Sequence, residues 1–430
     1  MHLKTTLSIF TVAAAATPYS RMMLNSLQTR SQGIAASGAS SSTLESSVLA
    51  LSVLALSAQY GPRGLALDDD DLFVGAVLDL AAKPFMDTAR AVDRPMDRFA
   101  LATAINRAMA MGRVPISPSS RQATVAIAAS LPLQGRNPDG GLWYYHAYPH
   151  WSYLDGLFAI LPYMASLPDR NETDMELQLA LMQKHCDRPN GRPLLVHGYD
   201  WTRRAFWADM NNGASPHVWG RSVGWLLAGA IETWDILGCS QGRASPSLCN
   251  RLQRLTISIA ECLVNLADPD TGAWRQLTVM GGQGGNYLES SSTALYTFAL
   301  LKGQRIGMLP FGPPWYRNVA LRAYQYTLEH FVTYEKNTII GYGRTVSVCS
   351  LNSSASYDYY VSRPLEPNSL LGESAFILAS LEVERLFPEP RDFTIEMARE
   401  VTDGSAKGIL PGRSDEITIE SAKEITGPWS

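Results

Sequence analysis

Trp219-Gly-Arg-Ser-Val-Gly-Trp-Leu-Leu-Ala-Gly-Ala-Ile-Glu-Thr-Trp-Asp-Ile-Leu237 is the stretch that decides the fold. Val223, Leu227, Ala230, Ile231, Trp234 and Leu237 recur at three- and four-residue spacing, which is the period of one helical face. Most of the remaining positions are also apolar or small, and a helix of that kind must be buried on most sides. Downstream, Leu255, Ile259, Cys262, Leu263 and Leu266 mark a second helical face.

The same spacing, read outward in both directions, predicts twelve helices near 20–33, 43–59, 72–90, 98–111, 119–131, 155–167, 173–186, 219–237, 248–267, 290–304, 315–334 and 369–387. Gly61, Gly112, Gly238, Gly303 and Pro388 supply stops, and Pro162 falls inside its helix. The helices pair into hairpins whose second member is richer in Ala, Gly and Ser. Six such hairpins close into a double ring with the small-residue helices inside. The expected fold is therefore all-α, an (α/α)6 barrel, with an open helical solenoid as the alternative. The barrel is expected over residues 18–390, with 391–430 a charged tail of no assigned role.

The chain of 430 residues has 46% hydrophobic and 18% charged residues, which excludes disordered, collagen-like and coiled-coil classes. Lys and Arg number 36 against 40 Asp and Glu, so no basic field awaits a nucleic acid. Lys4, the apolar run Leu7–Ala16 and its closing alanines read as a secretory signal over 1–17. That run is too short for a bilayer, which takes about 20 residues. The expected product is secreted, associates with no membrane, and acts as a monomer or weak oligomer. Asn171-Glu-Thr and Asn352-Ser-Ser are glycosylation sequons. The five cysteines show no metal-ligand spacing. Cys239 and Cys249 flank a polar stretch suited to a loop disulfide, and the odd count leaves at least one thiol over.

Polar residues recur in phase with the hairpins. Asp97 lies 58 positions before Asp155, Arg221 follows after 66 more, and Glu289 after another 68. If each interval is one hairpin, all four project from one rim. Carboxylates, an Arg and aromatic rings around one opening make a carbohydrate site: rings such as Trp143 and Trp151 cover sugar faces, and carboxylates bind hydroxyls. An arginine fork suits a substrate carboxylate. Asp155 either caps the helix after it or, recessed among Trp143, Tyr144, Tyr145, His146, Tyr148, His150, Trp151 and Tyr153, carries a proton. Asp97 has Asp93 four positions away as its alternative. Arg221 either binds an anion or pairs with Asp155 or Glu289, and Glu289 is expected to be structural. The Asp68–Asp71 run is expected to start the third helix on a solvated face, with calcium binding the weaker reading.

Gly141-Leu-Trp-Tyr-Tyr145, Tyr153-Leu-Asp155-Gly-Leu157, His197-Gly-Tyr-Asp200, Ser215-Pro-His-Val-Trp-Gly-Arg221-Ser-Val-Gly-Trp225 and Asn286-Tyr-Leu-Glu289-Ser-Ser-Ser292, followed by Ser356-Tyr-Asp-Tyr-Tyr360, resemble the unsaturated rhamnogalacturonyl hydrolases of glycoside hydrolase family 105. With Pro18-Tyr-Ser-Arg21, they look like its fungal secreted branch. The resemblance covers about residues 18–387. It implies an (α/α)6 barrel and removal of the unsaturated uronic acid that lyases leave on the non-reducing end of rhamnogalacturonan oligosaccharides. It implies protonation and hydration of the C4=C5 double bond rather than glycoside displacement, and no metal or organic cofactor. By motif match Asp155 is the general acid/base and Asp97 the second carboxylate. His197, Trp219, Arg221 and Trp225 are substrate contacts, with Arg221 on the uronate carboxylate. Two other functions suit the same barrel: ordinary hydrolysis of saturated oligosaccharides, and polysaccharide binding without catalysis.

Overall fold

The computed structural model describes residues 17–34, 39, 41–61, 68–187, 193–311, 315–335 and 339–388. The signal segment up to residue 16 and the tail 391–430 lie outside the described residues. The chain alternates outer and inner helices. α1 (Tyr19–Thr29) is outer and α2 (Ser42–Tyr60) inner; α3 (Asp68–Ala82) and the short α4 (Thr88–Val92) are outer and α5 (Asp97–Met111) inner. Then come α6 (Pro118–Ser130) and α7 (Gly156–Ser166), α8 (Glu172–Cys186) and α9 (Gly220–Leu237), and α10 (Pro246–Leu266) and α11 (Ser290–Arg305). α12 (Trp315–His330) is outer, the single-turn α13 (Tyr357–Val361) lies on the rim, and α14 (Leu370–Leu386) is inner.

The inner helices form a closed ring in the order α2, α5, α7, α9, α11, α14 and back to α2. This closure is the (α/α)6 barrel and excludes an open solenoid. Small residues allow the close packing. A Cβ on Gly229 of α9 would lie 2.7 Å from the Leu157 carbonyl oxygen of α7, so no larger residue fits there. Of the outer helices, α3 leans on α2, α6 on α5 and α4, and α12 on α11, while α8 and α10 pack on each other as well as on α7 and α9. α1 docks on α14, so the first and last described helices complete the double ring.

Two expected helix boundaries are corrected. The helix expected over 72–90 starts at Asp68 and stops at Ala82, where Pro84 forces a single 3-10 turn before α4. α12 stops at His330, and its expected last residues form β3 (Val332–Tyr334), paired antiparallel with β4 (Ile340–Tyr342). Gly112 and Gly238 do end helices, in left-handed geometry. Gly303 instead lies within α11. The acidic run starts α3 as expected, but only half of it is solvated: Asp68 and Asp69 are exposed, whereas Asp70 is buried on Arg21 at 2.8 Å and Asp71 pairs with Arg113 at 3.0 Å. Cys239 and Cys249 form a disulfide between the end of α9 and α10.

All six inner helices run in the same direction. Their C-terminal halves ring a basal cavity of about 270 Å³. Arg107, Lys302, Arg305 and Arg385 sit there, where cations complement the negative helix ends, among Glu232, Asp235 and Glu382. The N-terminal ends face the opposite rim. No described helix is long and apolar enough to cross a membrane.

Candidate active site

The upper cavity is built where the inner helices begin. Leu44 comes from the start of α2, Asp97 from α5, Asp155 from just before α7, Trp219, Arg221 and Trp225 from α9, and Leu371 from α14. Tyr144, Tyr145, Tyr153 and His197 complete one side, and Val348 and Cys349 the other. The space open to water is only about 30 Å³, room for one or two water molecules.

An antiparallel ribbon positions the centre. β1 (Trp151–Tyr153) pairs with β2 (Gly198–Asp200), Tyr153 opposite Gly198, and the Leu154 N–H donates to the His197 carbonyl at 2.9 Å. This pairing brings Asp155 and His197 side by side, with His197 Nε2 lying 3.4 Å from Asp155 Oδ2. The Asp155 carboxylate does not cap α7, and its Oδ2 is buried without a hydrogen bond. The simple structural account of this residue therefore fails. On the other side of the imidazole, Nδ1 lies 2.7 Å from the Tyr360 hydroxyl. Burial pushes that phenol well above its ordinary range, so it keeps its proton. The contact fixes the ring with Nε2 facing the Asp155 carboxylate. Tyr360 was quoted in the family motif without a role, and the structure makes it the residue that orients His197.

Asp97 lies at the first turn of α5 and is buried, whereas Asp93 is exposed outside the cavity. Burial pushes the Asp97 carboxyl up to about 7. The Tyr144 hydroxyl donates to it and opposes that rise, while the charge of Asp155 adds to it. A buried carboxyl that holds its proton to about neutral pH, in the same cavity as a second carboxyl, is suited to acid and base work.

Arg221 is fully buried. Its Nη2 donates to the carbonyls of Val346 at 2.7 Å and Ser347 at 2.8 Å, and its guanidinium lies 5.0 Å from the Trp219 ring. Nε and Nη1 are buried without partners, and Arg221 is in no ion pair with Asp155 or Glu289. Glu289 accepts instead from the N–H groups of Ser291, Ser292 and Val346, capping α11 and holding the 346 segment. The structure thus supports its structural role.

Trp219 and Trp225 are buried in the cavity wall, and Trp219 donates its indole N–H to Gln276 at 3.1 Å. Trp143 and Trp151 do not line this cavity. Trp151 stacks on Tyr148 and meets Trp207, while Trp143 packs against His150. Alternation puts Trp151 and Tyr153 on the same face of the ribbon, so position along it makes the division: Tyr153, next to Asp155, reaches the cavity, and Trp151, two residues further out, does not. The rings that do reach the cavity beside the predicted set are Tyr144, Tyr145 and Tyr153. The aromatic run before Asp155 was the signal for them, but it did not tell which members face inward.

A closed double ring of helices with a carboxyl pair, a buried arginine and aromatic walls at one rim is an arrangement suited to holding a sugar. The family model for Glycosyl Hydrolase Family 88 matches residues 114–387. The chain belongs to Glycosyl Hydrolase Family 88. A family 105 glycoside hydrolase of C. acetobutylicum superposes with TM-score 0.71 at 22% identity, over 86% of this chain and 100% of that one. The unsaturated glucuronyl hydrolase of Bacillus sp. GL1 superposes with TM-score 0.58 at 13% identity, over 85% and 95%. At these identities both show the shared fold. Protein Atu3128 of Agrobacterium fabrum is 36% identical over 116 residues, 27% of this chain and 47% of that protein. The chain thus spans about half the length of the curated relatives it matches.

Proposed function

We propose that this chain hydrolyses unsaturated uronyl oligosaccharides, removing a 4,5-unsaturated galacturonyl group from the non-reducing end of rhamnogalacturonan fragments. The observation that carries this reading is the buried Arg221 guanidinium, with two unpartnered nitrogens in the cavity that holds Asp97 and Asp155. An unpaired buried cation is costly, so the site is built to receive an anion. The N-terminal ends of the inner helices around the rim favour the same charge. A uronate carboxylate on Arg221 would set its ring against Trp219 and Trp225. The motif match to family 105 and the name of the Bacillus neighbour favour an unsaturated rather than a saturated uronate.

In this chemistry Asp155 delivers a proton to C4, and the electron pair of the double bond forms the new C–H bond. Positive charge develops at C5 and is shared with the ring oxygen. Water adds to C5 and returns its proton to Asp155, and the hemiketal opens and releases the remaining sugar. Asp155 thus ends as it began. His197 steadies the carboxylate between the two transfers. Loss of the double-bond absorbance on adding enzyme to lyase-digested rhamnogalacturonan tests the reading. Release of reducing ends from saturated oligosaccharides with no absorbance change would refute it.

The pair must hold a proton to begin the cycle, and Asp97 loses its proton near 7. kcat/KM is therefore expected to fall as pH rises through about 7. Tyr144→Phe removes a hydrogen bond that favours the charged form of Asp97, so the alkaline limb should move to higher pH. A limb that stays in place or moves down would contradict this assignment. The folded pKa lies above the ordinary 3.8 of the unfolded chain. The unfolded state therefore releases this proton first, and the Asp97 contribution to stability is lost as pH rises from about 4 to about 7.

We further propose that the protein is secreted and glycosylated. The Cys239–Cys249 disulfide suits an oxidising compartment, and Asn171 and Asn352 are both exposed. Endoglycosidase treatment of the chain from its native host should lower its mass, and an unchanged mass would speak against the glycans.

A further inference from the structure

Away from the catalytic cavity, and sharing no lining residue with it, a cleft of about 780 Å³ opens between the end of α8 and the loop that follows β2. Trp201, Arg203 and Arg204 form its loop side, and Lys184 and His185 its helix side. The loop is rigidly made. Buried Asp200 accepts from the N–H groups of Thr202, Arg204 and Ala205, each at 2.8 Å, and from the Thr202 hydroxyl at 2.7 Å. Arg203 is held at φ 60°, a left-handed geometry uncommon for a residue other than glycine. Gly213 closes over the same residue, since a Cβ there would lie 2.1 Å from the Asp200 carbonyl oxygen.

The charges in the cleft are unbalanced. Asp139, its only acid, is engaged by Lys184 at 3.2 Å. Arg203 and Arg204 are exposed, and among the described residues neither makes an ion pair. His185 is almost wholly buried. Its Nδ1 lies 2.7 Å from the Asn212 carbonyl, and its Nε2 has no hydrogen bond at the cleft wall. The chain as a whole is net negative, so two exposed guanidinium groups beside a half-exposed indole are a local device, with the charge of Arg203 also felt by the Asp209 carboxylate. Guanidinium forks suit carboxylates, and an indole face covers a sugar ring.

We propose that this cleft is a second carbohydrate site, which holds an acidic stretch of sugar chain with uronate carboxylates on Arg203 and Arg204 and a pyranose face on Trp201. It lets the enzyme stay on polymer while the catalytic cavity works on chain ends. The choice of uronate as the acidic sugar rests on the function proposed above; the site itself does not.

Saturated tetragalacturonate, which has no double bond to consume, is titrated into the full chain by calorimetry. Wild-type protein should bind it with salt-sensitive affinity. Arg203→Ser combined with Arg204→Ser should weaken binding at least about tenfold and flatten the salt dependence. Trp201→Ala should weaken it about tenfold with the salt dependence retained. Both variants should turn over an unsaturated disaccharide at the wild-type rate. No binding by wild type, or equal binding by the double variant, overturns the proposal. So does equal competition by a single-stranded oligonucleotide of matching charge, which would mark a general polyanion site. If the absorbance assay fails while the arginine dependence holds, only the catalytic reading falls. If the arginine dependence fails while absorbance decays, only the cleft reading does.

Discussion

Asp155→Asn should abolish measurable decay of the double-bond absorbance, a loss of about 10²–10⁴-fold or more in kcat, while the variant melts at or above the wild-type temperature. The two halves of this expectation discriminate between roles. A capping aspartate contributes about 0.5–2 kcal/mol, and its loss lowers stability. Asp155 makes no cap, and its buried Oδ2 lacks a hydrogen bond. An amide of the same shape therefore removes no stabilising hydrogen bond. His197, 3.4 Å away, keeps its link to Tyr360. Melting curves and absorbance decay on the same preparation check both halves. Full folding with full activity would end the assignment of Asp155 as the acid.

Arg221→Met should lower kcat/KM by about 2–5 kcal/mol of transition-state binding, roughly 30-fold to several thousandfold, mainly through KM. The variant also loses the bonds to the Val346 and Ser347 carbonyls, so a loosened wall is a competing cause. Two comparisons separate the causes. Arg221→Lys keeps the charge but not the fork, so it should fall between wild type and Met. A substrate whose uronate is methyl-esterified should be a poor substrate for wild type, yet it should lose little further with Arg221→Met. If the ester suffers as much as the free acid, Arg221 holds the wall and not the carboxylate.

Much of the barrel was legible because inner helices carry small and apolar residues around most of their circumference, a pattern visible in Gly220–Leu237 alone. The recurrence of Asp97, Asp155 and Arg221 was legible for the same reason: each lies at the N-terminal end of an inner helix. What escaped was geometry set by pairing between distant segments. The register of β1 with β2 sends Tyr153 inward and leaves Trp151 at the far end of the ribbon. Cys349 lies beside the backbone that Glu289 and Arg221 hold at Val346 and Ser347, and Tyr360 is tethered through its carbonyl to Gln276 at 3.1 Å. Pro84 announced a break, but helical periodicity on both sides of it concealed the turn.

The docking of α1 on α14 also bears on how the chain is made. Ser20 donates its N–H and hydroxyl to Glu384, and the Tyr60 hydroxyl joins the same carboxylate. Across the same seam Arg30 meets Glu373. On the ribosome, α1 and α2 must wait with an open flank until α14 emerges, so the ring gains its full cooperativity only then. Because the seam brings early and late segments together, it is also a natural place to join them, and a circular permutant opened at an outer loop would present the same walls in a different order of birth.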